Sequence, residues 1–300
     1  MINPVVENDT VSTVPSLFTS AIKNKYGSEV RAIILYGSWL RGTRDTLLDF
    51  YVILNSYKAL KKPLHRMLNG IIAPNVYAIN ITHQDKKYCA KYATISYKQF
   101  KKGIQNSFHP YFWARFAQPC ELAYYQKPED SVEITSLFRD ACTRLVTETV
   151  PLLPETFSFH NLWSKAFELT YKTELRSESE DTPDKLACHI PPSSMKLVKI
   201  YNNRIKLSRK TDNTWTAKVS KTETSYCKMR WRLRIAAGKA LSAIRVLKSA
   251  ITFEAPLEYL LWKIERHTGI IESPSRLQKK YPLIFSWPLL WRIYRRGGFR

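Results

Sequence analysis

The chain predicts an α+β fold: a small mixed sheet flanked by helices, a mostly helical second domain, and a basic C-terminal region. Three observations predict it. Two apolar strands, VRAIILYG and LLDFYVIL, follow each other closely after an amphipathic stretch. Helical periodicity then dominates residues 97–178. Finally, the positive charge gathers late. Residues 1–187 carry 23 Lys/Arg against 19 Asp/Glu, and residues 188–300 carry 24 against 6.

Taken in order, residues 13–26 place Val14, Leu17, Phe18, Ile22 and Tyr26 at helical spacing. The two apolar strands come next. Residues 57–70 read as a helix closed by Gly70 and Pro74. NVYAINIT and YATIS are two further strands, and helices are expected at 97–106, 111–117, 130–150 and 160–178. The acidic SESEDTPDK (177–185) reads as a turn between helical parts. Residues 196–219 fit either short strands turning at Asn202-Asn203 and Asp212-Asn213 or a basic loop. In 230–252, Leu233, Ala237, Ala240, Ile244, Leu247 and Ile251 form an apolar face, and Arg230, Arg234, Lys239, Arg245 and Lys248 lie largely off it. The expected units are 1–128, 129–229 with the possible β or loop insertion at 196–219, and 230–300.

Composition narrows the function. A formal net charge of +22 over 300 residues calls for a polyanionic partner, whether nucleic acid, nucleotide or anionic lipid. Five cysteines without CxxC spacing argue against a disulfide framework or a zinc site. The opening residues show no charged and apolar leader, and no apolar run is long enough to span a bilayer. The expectation is a protein on the cytoplasmic side, peripheral to the membrane.

The chemistry-bearing stretch is ILYGSWLRGTRDTLLDFYVIL. A strand ending in Gly37-Ser38 lets backbone N–H groups approach a triphosphate, because Gly37 has no Cβ and Ser38 adds a hydroxyl. Asp49 on the next strand can hold Mg²⁺. This is the outline of a nucleotidyltransferase site. Such sites normally carry a second acid two positions on, where this chain has Tyr51. An ordinary turn beside a strand acid would give the same residues.

The chain resembles the mitochondrial-type CDP-diacylglycerol synthases, the phosphatidate cytidylyltransferases of the mitochondrial translocator assembly and maintenance family. YGSWLRG and LDFYVI are similar to that family's Tyr-Gly-Ser turn and its Asp-Phe strand, which lacks the second acid. AKYATISYKQF puts Lys91 on the family's lysine, and PYFWARFAQPCEL puts Arg115 on its arginine. LTYKTELRSESEDTPDKLACHI puts Glu174 on an aspartate, Arg176 on an arginine and Lys185 on a lysine. Glu174 is one methylene longer than the family's residue. Gln118 replaces a lysine and Thr173 a glycine.

The resemblance implies an Mg²⁺-dependent condensation of CTP with phosphatidate. Asp49 and Glu174 would be its catalytic pair and metal ligands, Glu174 serving as ligand or base. Gly37, Ser38, Lys91, Arg115, Arg176 and Lys185 would bind nucleotide. From spacing alone, Glu174 and Arg176 read more readily as a surface pair than as a site, Lys91 reads as a solvated cation, and Arg115, flanked by Phe112, Trp113 and Phe116, suits a triphosphate contact or an internal ion pair equally. The basic helix at 230–252, with Trp287, Trp291, Tyr294 and Phe299 among Arg292, Arg295, Arg296 and Arg300, has the makeup of a contact to an anionic membrane. No obligate protein partner is evident. The same charge also suits an RNA-directed nucleotidyltransferase or a non-catalytic nucleic-acid-binding protein.

Overall fold

A computed structural model describes residues 13–43, 47–84, 86–174, 182–197, 205–211, 213–252, 272–280 and 286–296. Its centre is a five-stranded mixed sheet. Helix α1 (Thr13–Tyr26) leads into β1 (Val30–Tyr36), which pairs antiparallel with β2 (Leu48–Leu54). After α2 (Pro63–Ile71) come β3 (Asn75–His83) and β4 (Lys86–Ser96). β4 runs antiparallel to β3 but parallel to β2. The sheet order is β3-β4-β2-β1-β5, where β5 (Cys120–Tyr125) closes the far edge. The sequence reading left 120–125 without an element. Its residues are only partly buried, so they show little alternation, and backbone pairing to β1 defines the strand.

The unbroken apolar runs of β1 and β2 follow from both faces being covered. Ile33, Leu35, Phe50, Val52 and Leu54 face α1 through Phe18 and Ile22. Ala32, Ile34, Tyr51, Ile53, Ala93 and Ile95 face the other way. Covering that second face are α3 (Tyr97–Gln105), the short α4 (Trp113–Phe116), α5 (Pro128–Thr149) and α6 (Phe159–Tyr171). One hydrophobic cluster runs from this face to Trp231.

Helix α6 stops at Tyr171, short of the expected 178. Thr170 and Thr173 turn their hydroxyls onto the carbonyls of Phe167 and Thr170 at 3.0 and 2.6 Å. These bonds close the helix end, and Glu174 sits in the turn rather than on the helix. Helix α7 (Thr182–Ala187) packs back on α6. Part of 196–219 is β, as one of the two expectations held. β6 (Thr156–Ser158), β7 (Ile205–Arg209) and β8 (Thr214–Val219) form a three-stranded sheet in the order β6-β8-β7.

Helix α8 (Lys221–Thr252) includes the expected 230–252 and begins earlier. Its inward face is Cys227, Trp231, Arg234, Gly238 and Lys248, and of the apolar face expected from sequence Leu233, Ala237, Ala240 and Ile244 look outward, Leu233 53% and Ile244 47% exposed, while the side chains of Leu247 and Ile251 lie outside the described residues. Polar bonding explains the inversion. Arg234 is fully buried, pairs with Glu148 at 2.8 Å and donates to the Phe108 carbonyl at 2.9 Å. Arg230 takes the other Glu148 oxygen at 2.8 Å. Trp231 donates to the Glu148 carbonyl at 2.8 Å. Gly238 lets the helix approach the turn after α6: a Cβ there would lie 2.4 Å from the Thr173 carbonyl oxygen. Further on, Lys248 donates to the carbonyls of Ile72 and Pro74.

Two short helices follow, α9 (Arg276–Lys280) and α10 (Trp287–Arg295). In α10, Leu289 and Ile293 are buried while Trp287 and Trp291 are exposed. Arg292 and Arg296 lie 3.7 and 2.8 Å from Glu272. Phe299, Arg300 and the side chain of Tyr294 lie outside the described residues. No helix among the described residues is long and apolar enough to cross a membrane.

Burial, and then the nearby Arg245, pull the Lys248 pKa down to about 8. The unfolded chain therefore binds more protons than the fold above that value, and stability tied to this group rises with pH from about 8 towards the ordinary lysine range. Replacing Lys248 with Met removes that rise. Urea unfolding between pH 7.5 and 10 should show the wild type gaining on the variant. Parallel curves would mean that Lys248 is not buried as described.

Candidate active site

The sheet assembles the site as a row. Asp49 pairs with Tyr36 across β1 and with Lys91 across β4, so the three directly opposed side chains share one face. That face also carries Tyr51 and Ile53, two and four residues along β2. Asp49 Oδ1 lies 3.1 Å from Lys91 Nζ, an ion pair whose geometry falls short of a hydrogen bond. Helix α4 adds a cation. With Phe112, Trp113 and Phe116 buried, Arg115 is turned to the sheet and donates to the Tyr36 hydroxyl at 3.3 Å.

Gly37 sits directly against the acid. Its φ is +93°, and a Cβ on it would lie 2.8 Å from Asp49 Oδ2. The chain then enters a single 3₁₀ turn, Ser38–Arg41, pinned where Gly42 N–H meets the Trp39 carbonyl at 3.1 Å and Thr43 N–H meets that of Ser38 at 3.2 Å. Burial raises the Asp49 pKa, and Lys91, Arg115 and Arg41 pull the other way. A single, largely buried carboxylate is thus surrounded by three cations.

The structure brings Gly37, Ser38, Asp49, Lys91 and Arg115 together. Glu174 stands within electrostatic range of Arg115, Arg245 and His109, so Arg115 is the group that both acids influence. Lys185 is exposed on α7, with no described link to the row, and Arg176 lies outside the described residues. Tyr51 fills the place of a second strand acid with an aromatic ring. It packs edge-on to Phe116 at 5.0 Å and against Tyr36 at 5.2 Å. Sequence reasoning missed four residues here. Arg41 could have been suspected from WLRG, directly after the turn. Tyr36 was legible only as a strand residue, and Tyr111 and Arg245 gave no local signal.

Among the described residues no three His, Cys, Asp or Glu side chains gather to hold a metal. Mg²⁺ does not require that, since it keeps several waters and often takes one or two carboxylates plus substrate phosphates. Asp49 Oδ1, buried and held by an ion pair with the movable Lys91 ammonium, fits the protein's share of such a site. The surrounding cations suit a metal that arrives together with phosphates.

No protein-family model matches the chain, and no curated relative matches it significantly. Among solved structures, a nucleotidyltransferase-like protein from Exiguobacterium sibiricum 255-15 is similar at 15% identity, covering 94% of this chain and 92% of that one, with a TM-score of 0.27. A likeness that distant carries nothing for the site.

Gly37 and Gly42 both have positive φ, but an added Cβ meets nothing at Gly42. Gly37→Ala should cost roughly 1–3 kcal/mol of backbone strain, together with displacement of Asp49. Urea unfolding should show it clearly worse than Gly42→Ala, with part of the difference recovered in a Gly37→Ala/Asp49→Gly double variant. Equal losses for the two alanine variants would show that the contact with Asp49 does not matter.

Proposed function

We propose that this chain is an Mg²⁺-dependent nucleotidyltransferase that condenses CTP with phosphatidate to give CDP-diacylglycerol and pyrophosphate at a membrane surface. The observation that carries the reading is the Asp49 carboxylate pressed against Gly37 and ringed by Lys91, Arg115 and Arg41. The choice of CTP and phosphatidate comes from the sequence resemblance.

In this reaction an acceptor phosphate oxygen forms a bond to the α-phosphorus. The bond from that phosphorus to the bridging oxygen breaks, and pyrophosphate leaves with the electron pair. The acceptor is already an anion, so no proton need be removed. The main difficulty is bringing two anions together, and positioned cations meet it. Bound Mg²⁺, held by Asp49, would neutralise charge on the nucleotide phosphates. Gly37 leaves room for the Asp49 carboxylate beside the turn, and Ser38 can donate to the phosphates. Lys91 is 40% exposed and free to turn from Asp49 to a phosphate. Arg115 is more rigidly placed, against Tyr36 and Tyr111. Glu174, given no base work by an anionic acceptor, would orient Arg115.

The outward face of α8 supports a membrane location. Met229, Leu233 and Ile244 are exposed among Lys228, Arg232 and Lys239. That mixture suits a helix lying at anionic headgroups, where each Lys or Arg contributes about 1 kcal/mol. The exposed Trp287 and Trp291, beside Arg292 and Arg295, have the same character.

Pyrophosphate release from CTP, Mg²⁺ and phosphatidate liposomes tests the reading. Asp49→Ala should cut the rate by about 10²–10³-fold, the range found when one stabilising group is removed. Release that ignores phosphatidate, or transfer of labelled nucleotide to RNA instead, would overturn the lipid assignment.

A further inference from the structure

Arg245 has no hydrogen-bonded partner for two of its three guanidinium nitrogens. It reaches in from α8 and lays its guanidinium on the Tyr111 ring, with Cζ 3.7 Å from the centroid. Its Nε and Nη1 are buried and make no hydrogen bond. Arg234, three turns earlier on the same helix, shows what a structural arginine looks like here: its Nη2 is also buried without a hydrogen bond, but its Nε and Nη1 bond the Phe108 carbonyl and Glu148. Arg245 has Glu174 within electrostatic range, yet its Nε and Nη1 stay unbonded.

The neighbours of Arg245 are also donors. Arg115 lies over the same Tyr111 ring, Cζ at 4.8 Å. The Tyr51 hydroxyl is buried and makes no well-formed hydrogen bond, although Tyr111 lies close enough to interact with it; burial, then Tyr111, push its pKa far up, so it stays protonated and able to donate. His109 is different. Its Nδ1 accepts the Tyr111 N–H at 3.2 Å, which leaves the proton on Nε2, and Nε2, though buried without a hydrogen bond, is closed off by Gly238. His109 therefore belongs to the helix contact and not to the donor group. Buried N–H and O–H donors facing no acceptor are costly and uncommon in a fold. Where they gather beside two arginines, the missing partner is an oxyanion.

We propose that Arg245 and Arg115, with the Tyr51 hydroxyl beside them, bind the phosphate monoester of the acceptor. The assignment rests on the nucleotidyl-transfer reading, and it gives the acceptor a place separate from the turn at Gly37-Ser38. Arg115 is common to both places, as a reaction joining two phosphates requires. The helix also favours the acceptor over the end of the nucleotide triphosphate. Ile244, the preceding residue of the chain, lies on the outward apolar face of α8, so a phosphate head held by Arg245 could leave its apolar tails on that face. Arg245 is thus a specificity-determining residue, reading the doubly charged head through its guanidinium fork.

Binding is measured first, without nucleotide, by thermal shift and calorimetric titration of the full chain with glycerol 3-phosphate and with dihexanoyl-phosphatidate. The wild type should bind a phosphomonoester, and Arg245→Met should weaken binding at least tenfold. Arg245→Lys, which keeps charge and bulk, should recover part of it. Stronger binding of dihexanoyl-phosphatidate identifies a lipid headgroup, and equal binding a free phosphate head. In turnover, Arg245→Met should raise KM for the acceptor and leave KM for CTP within about twofold. An unchanged acceptor KM, or a rise confined to CTP, overturns the proposal while leaving nucleotidyl transfer intact. Phosphomonoester binding that needs Arg245 in a protein that transfers no nucleotide would overturn the activity and keep the site.

Discussion

The contact between Gly37 and Asp49 governs the site. Asp49 occupies the middle of a cross-strand row, with Tyr36 on one side and Lys91 on the other. The sheet covers both its flanks, and Gly37 closes above it with no room for a Cβ. The carboxylate is therefore largely enclosed, with its side chain only 15% exposed. A buried charge held this way is expensive, and the cations around it keep the cost tolerable. Those same cations are what a phosphate-bearing substrate needs.

Helix α8 is the second determinant. Ordinary amphipathic logic puts leucine and isoleucine inward, but here Leu233 and Ile244 face outward. The inward positions go to Arg234, which reaches Glu148; to Gly238, which permits close approach; and to Lys248, which reaches two backbone carbonyls. The helix spans from the end of α5 to the start of β3 and fixes both. Arg245 lies between those two anchors and delivers a cation to Tyr111. The outer apolar strip is what remains once polar bonding has claimed the inner face.

The central sheet was legible from sequence because it is buried on both sides, which writes itself as unbroken apolar runs. β5 was not, since an edge strand with half-buried side chains is defined by its backbone. The Gly37-Ser38 turn and Asp49 were legible together because their spacing is local. Arg115 was placed only through the resemblance, and its aim is set by Phe112, Trp113 and Phe116 filling the other sides of α4. Tyr111 and Arg245 were invisible: they meet across more than a hundred residues, and nothing in the periodicity of α8 marks Arg245 as inward. The helix expected to carry Glu174 ends before it, because threonine hydroxyls at 170 and 173 bond carbonyls one turn back.

The central claim is that Asp49 holds a metal together with a nucleotide, and binding of Mn²⁺ in place of Mg²⁺, followed by electron paramagnetic resonance, tests it most directly. With one carboxylate among three cations, the protein alone should bind Mn²⁺ weakly. CTP should tighten binding at least tenfold in the wild type and have no such effect in Asp49→Asn. Equal binding by the two proteins in the presence of CTP would contradict the claim.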